Sequence, residues 1–333
     1  MNLPLIVSSA ILSIVTSGLL FTVDIDGVHI DPSEGFHFSA PKNLDVLFPS
    51  SPSDESSFSD YDITEEPRIL PLSEVNEDGR IPILEYHSVG PQESRWMRSV
   101  ENFKKDLEWL YNNDYVLLSI EDYAKSYFPI PYGKKPVVIT FDDGNKYQFR
   151  YREDGSIDPD CAIGILDDFY MKHPDFGSAV VFYVNNNPFS QPEFAAKKIE
   201  YLYKTGRQIG YHTLYHEDLR AGGYEYTLSL LRKQDEILKD MIPDGMTMTT
   251  IAYPHGWGPV GDRSGLSEKL TVGLLIGADP AYPLYSPKAN AYRTPRIQAI
   301  DEEWLRHFAR QPGETARSEK KEKFKVFVSD GSF

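Results

Sequence analysis

The sequence predicts an α/β fold, a mostly parallel sheet curled into an irregular or incomplete (β/α) barrel. Three observations point to it. Strand-like and helix-like stretches alternate from about residue 81 to residue 310, the order that builds a parallel sheet with helical crossovers. No Gly-rich phosphate loop follows the first strand, which disfavours an open dinucleotide-binding sheet. Val137-Val138-Ile139-Thr140-Phe141 then runs straight into Asp142-Asp143-Gly144, and acids at the carboxyl end of a buried strand sit where α/β proteins keep their chemistry.

The elements follow in order. Residues 1–23 form an apolar start with no charged side chain between Leu3 and Val23, the length of a signal peptide or membrane anchor. Residues 24–79 are an extension whose Pro49–Pro67 stretch is rich in Ser, Pro and acid and reads as a flexible linker. The compact domain is expected over 80–310. Ile81–His87 is a short strand ending in a histidine. Ser99 caps a helix over 100–112, where Phe103, Leu107, Leu110 and Tyr111 recur at helical spacing. Tyr115–Leu118 is a strand, 120–127 a second helix closed by Pro129 and Pro131. After the Asp142–Asp143 strand, 144–159 is a polar loop and 160–172 a helix. Ser178–Val184 is a strand, and a helix over 193–204 ends at Gly206, a C-cap signal. A strand over 207–211 leads into His212-Thr213-Leu214-Tyr215-His216. A helix over 224–241, a strand over 249–253, a helix over 264–272, a strand over 274–278, an extended run over 292–297 and a helix over 301–309 complete the domain. Residues 311–333 read as a charged, solvated tail.

Composition narrows the function. With 41% hydrophobic and 13% aromatic residues, the 333-residue chain has enough apolar matter for a large core. Its 34 basic and 50 acidic residues give a net charge of −16, which argues against nucleic acid and against docking on anionic lipid. Cys161 is the one cysteine, so no intrachain disulfide forms. A monomer at the cell surface or outside the cell is the expected state, exported or tethered by the apolar start.

Two histidines four residues apart share one face of a helical turn, a spacing that suits one metal ion. His212 and His216 with Asp143 as third ligand leave coordination positions open, as catalytic metal sites do. Asp142 is then free to act as base toward a water attacking a carbonyl carbon. The two acids diverge because side chains at a strand end alternate faces.

Thr140–Gly144 (T-F-D-D-G) followed by His212–His216 (H-T-L-Y-H) resembles the polysaccharide deacetylase family, carbohydrate esterase family 4, also called the NodB-homology domain. The resemblance spans about Ile81 to Arg310, and the early strand ending Tyr86-His87 is similar to a subgroup with an extra N-terminal strand. It implies the deacetylase type of incomplete barrel and a divalent metal, usually Zn2+, with Co2+, Ni2+ or Mn2+ as alternatives. It also implies hydrolysis of N-acetyl groups on an N-acetylglucosamine polysaccharide: peptidoglycan, an exopolysaccharide or a chitin-like polymer. An O-acetyl esterase acting on acetylxylan, a catalytically silent carbohydrate-binding homologue and a cyclic-amide hydrolase are the rival readings.

By the same resemblance Asp142 is the base and Asp143, His212 and His216 hold the metal. His87 is expected to be the general acid, with His307 the alternative because Leu305-Arg306-His307 matches the family's late L-x-H letters inside a helical pattern. Ala252 stands where relatives have an arginine that holds the catalytic Asp. Arg296, or else Arg293, is expected to replace it. His255 is expected to give a backbone N–H to an oxyanion hole. Gln208 and Tyr211 depart from the family's Glu and Asn, and Tyr211 and Tyr253 are expected to contact the sugar. Tyr147, Phe149 and Tyr151 of the long loop are expected to pack internally rather than on a sugar.

Overall fold

The computed structural model describes residues 11–16, 19–24, 75–277, 279–317 and 322–332. It divides into two units, residues 1–64 and 65–333. In the first, β1 (Ile11–Thr16) pairs antiparallel with β2 (Leu19–Asp24). The rest of the apolar start and the linker expected over Pro49–Pro67 lie outside the described residues. No helix among the described residues is long and apolar enough to cross a membrane.

The second unit is built around one curled parallel sheet. Its strands are β3 (Ile83–Tyr86), β6 (Tyr115–Leu117), β7 (Lys135–Phe141), β8 (Val181–Val184), β9 (Gln208–Tyr211), β10 (Thr250–Ala252), β11 (Val272–Leu274) and β12 (Ile297–Gln298). The order is β11-β10-β9-β8-β7-β3-β12, with β6 beside the start of β7. A small parallel pair, β4 (Ser88–Gly90) and β5 (Met97–Ser99), lies beyond β3. The helices are α1 (Val100–Asn112), α2 (Ile120–Lys125), α3 (Ala162–Lys172), α4 (Ala195–Lys204), α5 (Gly223–Leu238) and α6 (Asp301–Phe308). Ser99 caps α1 by accepting from Asn102 N–H at 3.2 Å, and Gly206 takes a left-handed φ of 71° after α4.

One run of chain links the two edges of the curl. Thr294 bridges Leu274 at the end of β11, and β12 pairs with β3 a few residues on. The result is the incomplete barrel that the sequence predicts.

Strand alternation sorts the core into two layers. Ile81, Ile83, Val138, Val181, Tyr183, Ala252, Val272 and Leu274 share one buried cluster on the concave side. Leu84, Tyr86, Val137, Ile139, Phe141, Phe182, Ile209, Tyr211, Ile251 and Tyr253 belong to the other cluster, with α1, α3, α4 and α5. Side chains two residues beyond the concave set therefore point into the barrel mouth.

Two expectations are corrected. The 264–272 helix is a short 3-10 segment, Ser264–Glu268, and the next strand starts at Val272. Before the strand begins at Val272, Leu266 and Leu270 are the buried residues of this stretch, too few anchors for a longer helix. The tail after 310 is not simply solvated. Val326 bridges Arg80, Val328 bridges Asn76, and Phe327 is buried. Glu322 accepts from Tyr115 Oη at 3.0 Å and Lys135 Nζ at 2.6 Å. The apolar residues after the charged run fasten it to the domain, which thus extends past residue 310 at the carboxyl end and reaches back to Asn76.

Candidate active site

The mouth of the barrel collects residues from the ends of three strands, β3, β7 and β9. On β3 and its continuation, Ile83, Glu85 and His87 alternate onto the concave face. On β7 the matching set is Val138, Thr140 and Asp142, since Glu85 lies opposite Thr140 in the ladder. The strand register is carried one step further by Asp142 N–H donating to Tyr86 O at 2.9 Å. β9 delivers His212 in the same way, with its N–H on Val184 O.

After Asp142 the chain turns sharply. Asp143 adopts a φ of 78° and Gly144 a φ of 57°. A Cβ on Gly144 would lie 3.0 Å from Val184 Cγ1, so both the backbone angle and the close approach to β8 call for glycine. Thr213, His216 and His255 also carry positive φ. Non-glycine residues in this region store strain, and such strain collects where a side chain must be aimed.

Asp143, His212 and His216 converge. Asp143 Oδ1 is 3.4 Å from His212 Nε2 and 3.9 Å from His216 Nε2, and their ligand atoms all lie within 4.8 Å of one another. His212 Nδ1 is 2.8 Å from Ala252 O. A carbonyl only accepts, so Nδ1 carries the hydrogen and Nε2 presents its lone pair. That Nε2 is buried and has no hydrogen-bond partner. A buried, unpaired imidazole nitrogen beside a carboxylate and a second histidine is what a divalent metal would satisfy, so the set fits the ion that the sequence implies. Asn185 Nδ2 donates to His212 O and Thr213 O at 3.0 and 2.8 Å and holds the loop between the histidines.

Asp142 sits in a different environment. Arg296 binds it with two parallel bonds, Nη1 to Oδ1 and Nη2 to Oδ2, both 2.7 Å. The guanidinium also donates to Thr140 Oγ1 at 3.1 Å and Leu275 O at 2.7 Å. Burial works against ionising Asp142, but Arg296 outweighs it and holds the carboxyl well below the usual range. Arg296, not Arg293, is thus the residue placed on the aspartate. It reaches the site from the run that links β11 to β3, whereas Arg293 lies in the 3-10 turn Ala291–Arg293.

His87 lies with Glu85 and Asp142, their ligand atoms within 4.8 Å of one another. Its ring packs on Trp96 at 4.7 Å between centroids. His307 sits on α6 with Nε2 3.1 Å from Glu303, in the helical setting its spacing predicts. The His255 ring stands edge-on to His216 at 4.4 Å, at the turn where a backbone donor is expected.

Two site expectations fail on strand parity. Tyr211 precedes His212, so it must face the helices when His212 faces the mouth. It is 1% exposed and donates to Asp235 Oδ1 at 2.6 Å. Tyr253 is equally buried and donates to Tyr292 O at 3.2 Å. Neither presents a surface to a sugar. Phe149 and Tyr151 pack against Phe189, Tyr201 and Phe194 as expected.

Sequence reasoning missed Glu85 and Gln148. Gln148 is fully buried and donates to His87 O at 2.6 Å and to Asp142 O, tying the β3 and β7 ends together. Nothing in its sequence setting marks it. Glu85 had a signal: a lone acid within the apolar strand Ile81–Tyr86, two residues before the histidine.

Residues 130–261 match the model of the polysaccharide deacetylase family. The fold is similar to that of BC0361, a polysaccharide deacetylase from Bacillus cereus (22% identity, 66% of this chain and 64% of that one, TM-score 0.51). It is likewise similar to IcaB from Ammonifex degensii (17% identity, 68% and 94% coverage, TM-score 0.50). The deacetylase PplD of Streptococcus pyogenes aligns at 17% identity over 68% and 97% of the two chains, with a TM-score of 0.49. No curated protein matches the chain. The matched stretch, residues 130–261, includes Asp142, Asp143, His212, His216 and His255.

Proposed function

We propose that the protein is a metal-dependent deacetylase that removes N-acetyl groups from an N-acetylglucosamine-containing polysaccharide. The observation that carries this reading is the pairing of two adjacent aspartates with opposite surroundings. Asp143 faces two histidine nitrogens, one of them orphaned, while Asp142 is locked by Arg296.

A divalent metal held by Asp143, His212 and His216 would polarise the acyl carbonyl and ease deprotonation of water. The chain's own residues do the rest. Asp142, oriented by Arg296, takes the proton from the attacking water. The His255 backbone N–H, at the turn after β10, would donate to the oxygen that gains charge. His87, on the other side of Asp142 from the histidine pair's loop in sequence, hands a proton to the departing amine. The uncharged run from Leu3 to Val23 supports export or surface tethering, where such polymers are met.

Acetate release from penta-N-acetylchitopentaose, peptidoglycan and acetylxylan tests the proposal, with zinc-loaded and chelator-treated protein side by side. Zinc-dependent acetate from an N-acetylated substrate supports it. Acetate from acetylxylan alone would transfer the reading to an esterase, and no acetate from any of the three would leave the binding-homologue reading.

A further inference from the structure

A second cavity opens at the end of the strands opposite the mouth. It lies between the turn after β6 and the amino-terminal ends of β8, β9 and β10. Its volume is about 510 Å3, within the range of about 300–1,000 Å3 that small-molecule clefts occupy. The mechanism above uses none of its residues. Gln208 lies four residues before His212, so both face the concave side, at opposite ends of β9. Its side chain is half-buried at the cavity wall, and no hydrogen bond of its amide is found among the described residues. Arg207 borders the cavity, but its Nη2 is turned to Asp167 Oδ1 at 2.6 Å. Glu121 and Asp122 form one wall. Glu121 has the exposed Lys125 at 3.9 Å, and Asp122 accepts from Ser119 Oγ at 2.7 Å, with no cation paired to it among the described residues. Tyr203, 43% exposed, supplies an aromatic surface, and the space beside it is open, since a Cβ on Gly206 would meet nothing within 4 Å.

Carboxylates that no buried cation neutralises favour a positively charged ligand. An aromatic face attracts an ammonium and also covers the apolar face of a sugar ring. A free amide both donates and accepts, which suits hydroxyl groups. From this combination we infer that the cavity binds an amino sugar with a free ammonium group, a glucosamine unit of the deacetylated glycan. Glu121 and Asp122 meet the ammonium, Tyr203 covers the ring, and Gln208 bonds its hydroxyls. An N-acetylated unit brings no charge for the carboxylates to meet, so the cavity selects product over substrate. The ligand's standing as product rests on the deacetylase reading, whereas the binding site does not.

Isothermal titration of the full chain with glucosamine trimer and with tri-N-acetylchitotriose tests this, at a pH below the titration of the amines. Wild type is compared with Glu121→Gln, Tyr203→Ala and the double variant, each checked for folding by circular dichroism. Each single substitution is expected to weaken the glucosamine trimer about two- to fivefold, the size of one exposed ion pair or ammonium–aromatic contact, and the pair together about tenfold. Affinity for the acetylated trimer, which enters the mouth as substrate, is expected to stay unchanged. Failure of wild type to bind the glucosamine trimer overturns the inference, as does a glucosamine affinity that the double variant keeps. An equal loss for both trimers overturns the selection of the amine. Should either variant not fold, Gln208→Ala replaces it with the same expectation. Acetate release by the wild-type chain is measured beside the titrations. Acetate release without binding of the glucosamine trimer defeats this inference alone, whereas binding at the cavity without acetate release defeats the deacetylase reading and leaves the site.

Discussion

Two histidine–carboxylate clusters share the barrel mouth, and one arginine separates their behaviour. Asp143, His212 and His216 have ligand atoms within 4.8 Å of one another, and so do Glu85, His87 and Asp142. By donor type and spacing alone either group suits a cation. In the second, Arg296 already lies on both carboxylates, so its positive charge fills the role a metal would play and repels one. In the first, no ion pair with a guanidinium or ammonium is found among the described residues, and His212 Nε2 is left unpaired. Adjacent aspartates thus acquire different duties from what covers them, not from their own chemistry.

The largest break in this contrast is Arg296→Met. It strands two buried carboxylates, and removing one partner of a buried ion pair costs about 3–5 kcal/mol. Urea unfolding is expected to show a loss of that size together with loss of acetate release. A variant as stable as wild type would show that Arg296 does not neutralise the pair.

His212→Ala attacks the other cluster. It should lower zinc affinity by at least about a hundredfold, while leaving the Arg296–Asp142 pair in place. Competition with a chromophoric chelator measures this, and unchanged affinity would move the metal elsewhere.

The pH response sharpens the contrast. Burial pulls the His212 pKa down, but Asp142 and Asp143 pull harder, and its net shift is upward. A raised histidine pKa stabilises the metal-free fold fully below the unfolded value, and that contribution is lost as pH rises through the folded value. Metal needs the neutral ring, so its affinity runs the opposite way. Zinc affinity is expected to fall about tenfold per pH unit for each proton displaced as pH drops below the raised value. Isothermal titration in buffers of different ionisation enthalpy reads the proton release. No proton release at pH 6 would contradict the ligand role of His212.

The smallest expected effect is that of Tyr211→Phe. Losing the hydroxyl bond to Asp235 should cost about 1 kcal/mol of stability, with KM unchanged. A raised KM would restore Tyr211 to the sugar site.

Much of this site was legible in the sequence. The aspartate pair, the histidine pair and the strand before each were readable because a buried strand has a period and a metal site has a spacing. The resemblance pointed to Arg296 or Arg293 once Ala252 stood in the usual arginine position, and only the fold separates the two, since Arg296 alone reaches Asp142; Arg296 and His87 both lie outside residues 130–261. Strand parity also fixes Tyr211, which precedes a residue aimed into the mouth and must therefore face away from it. Glu85 was legible as an acid in an apolar strand, but its partners come from residues 277 and 296, which no local pattern connects to it. Gln148 was not legible at all, because its two carbonyl acceptors are set by how the β3 and β7 ends approach. The docked end of the chain was obscured by the charged run before Phe324.

The division of labour between the two aspartates is tested most directly by Asp142→Asn, in which Arg296 keeps Glu85, Thr140 and Leu275 as partners. Zinc stoichiometry and acetate release from penta-N-acetylchitopentaose are measured on the same preparation. One zinc per chain with kcat reduced by about a hundredfold or more is expected for loss of a general base alone. A variant that loses its zinc, or one that keeps wild-type kcat, would contradict the separation of ligand from base.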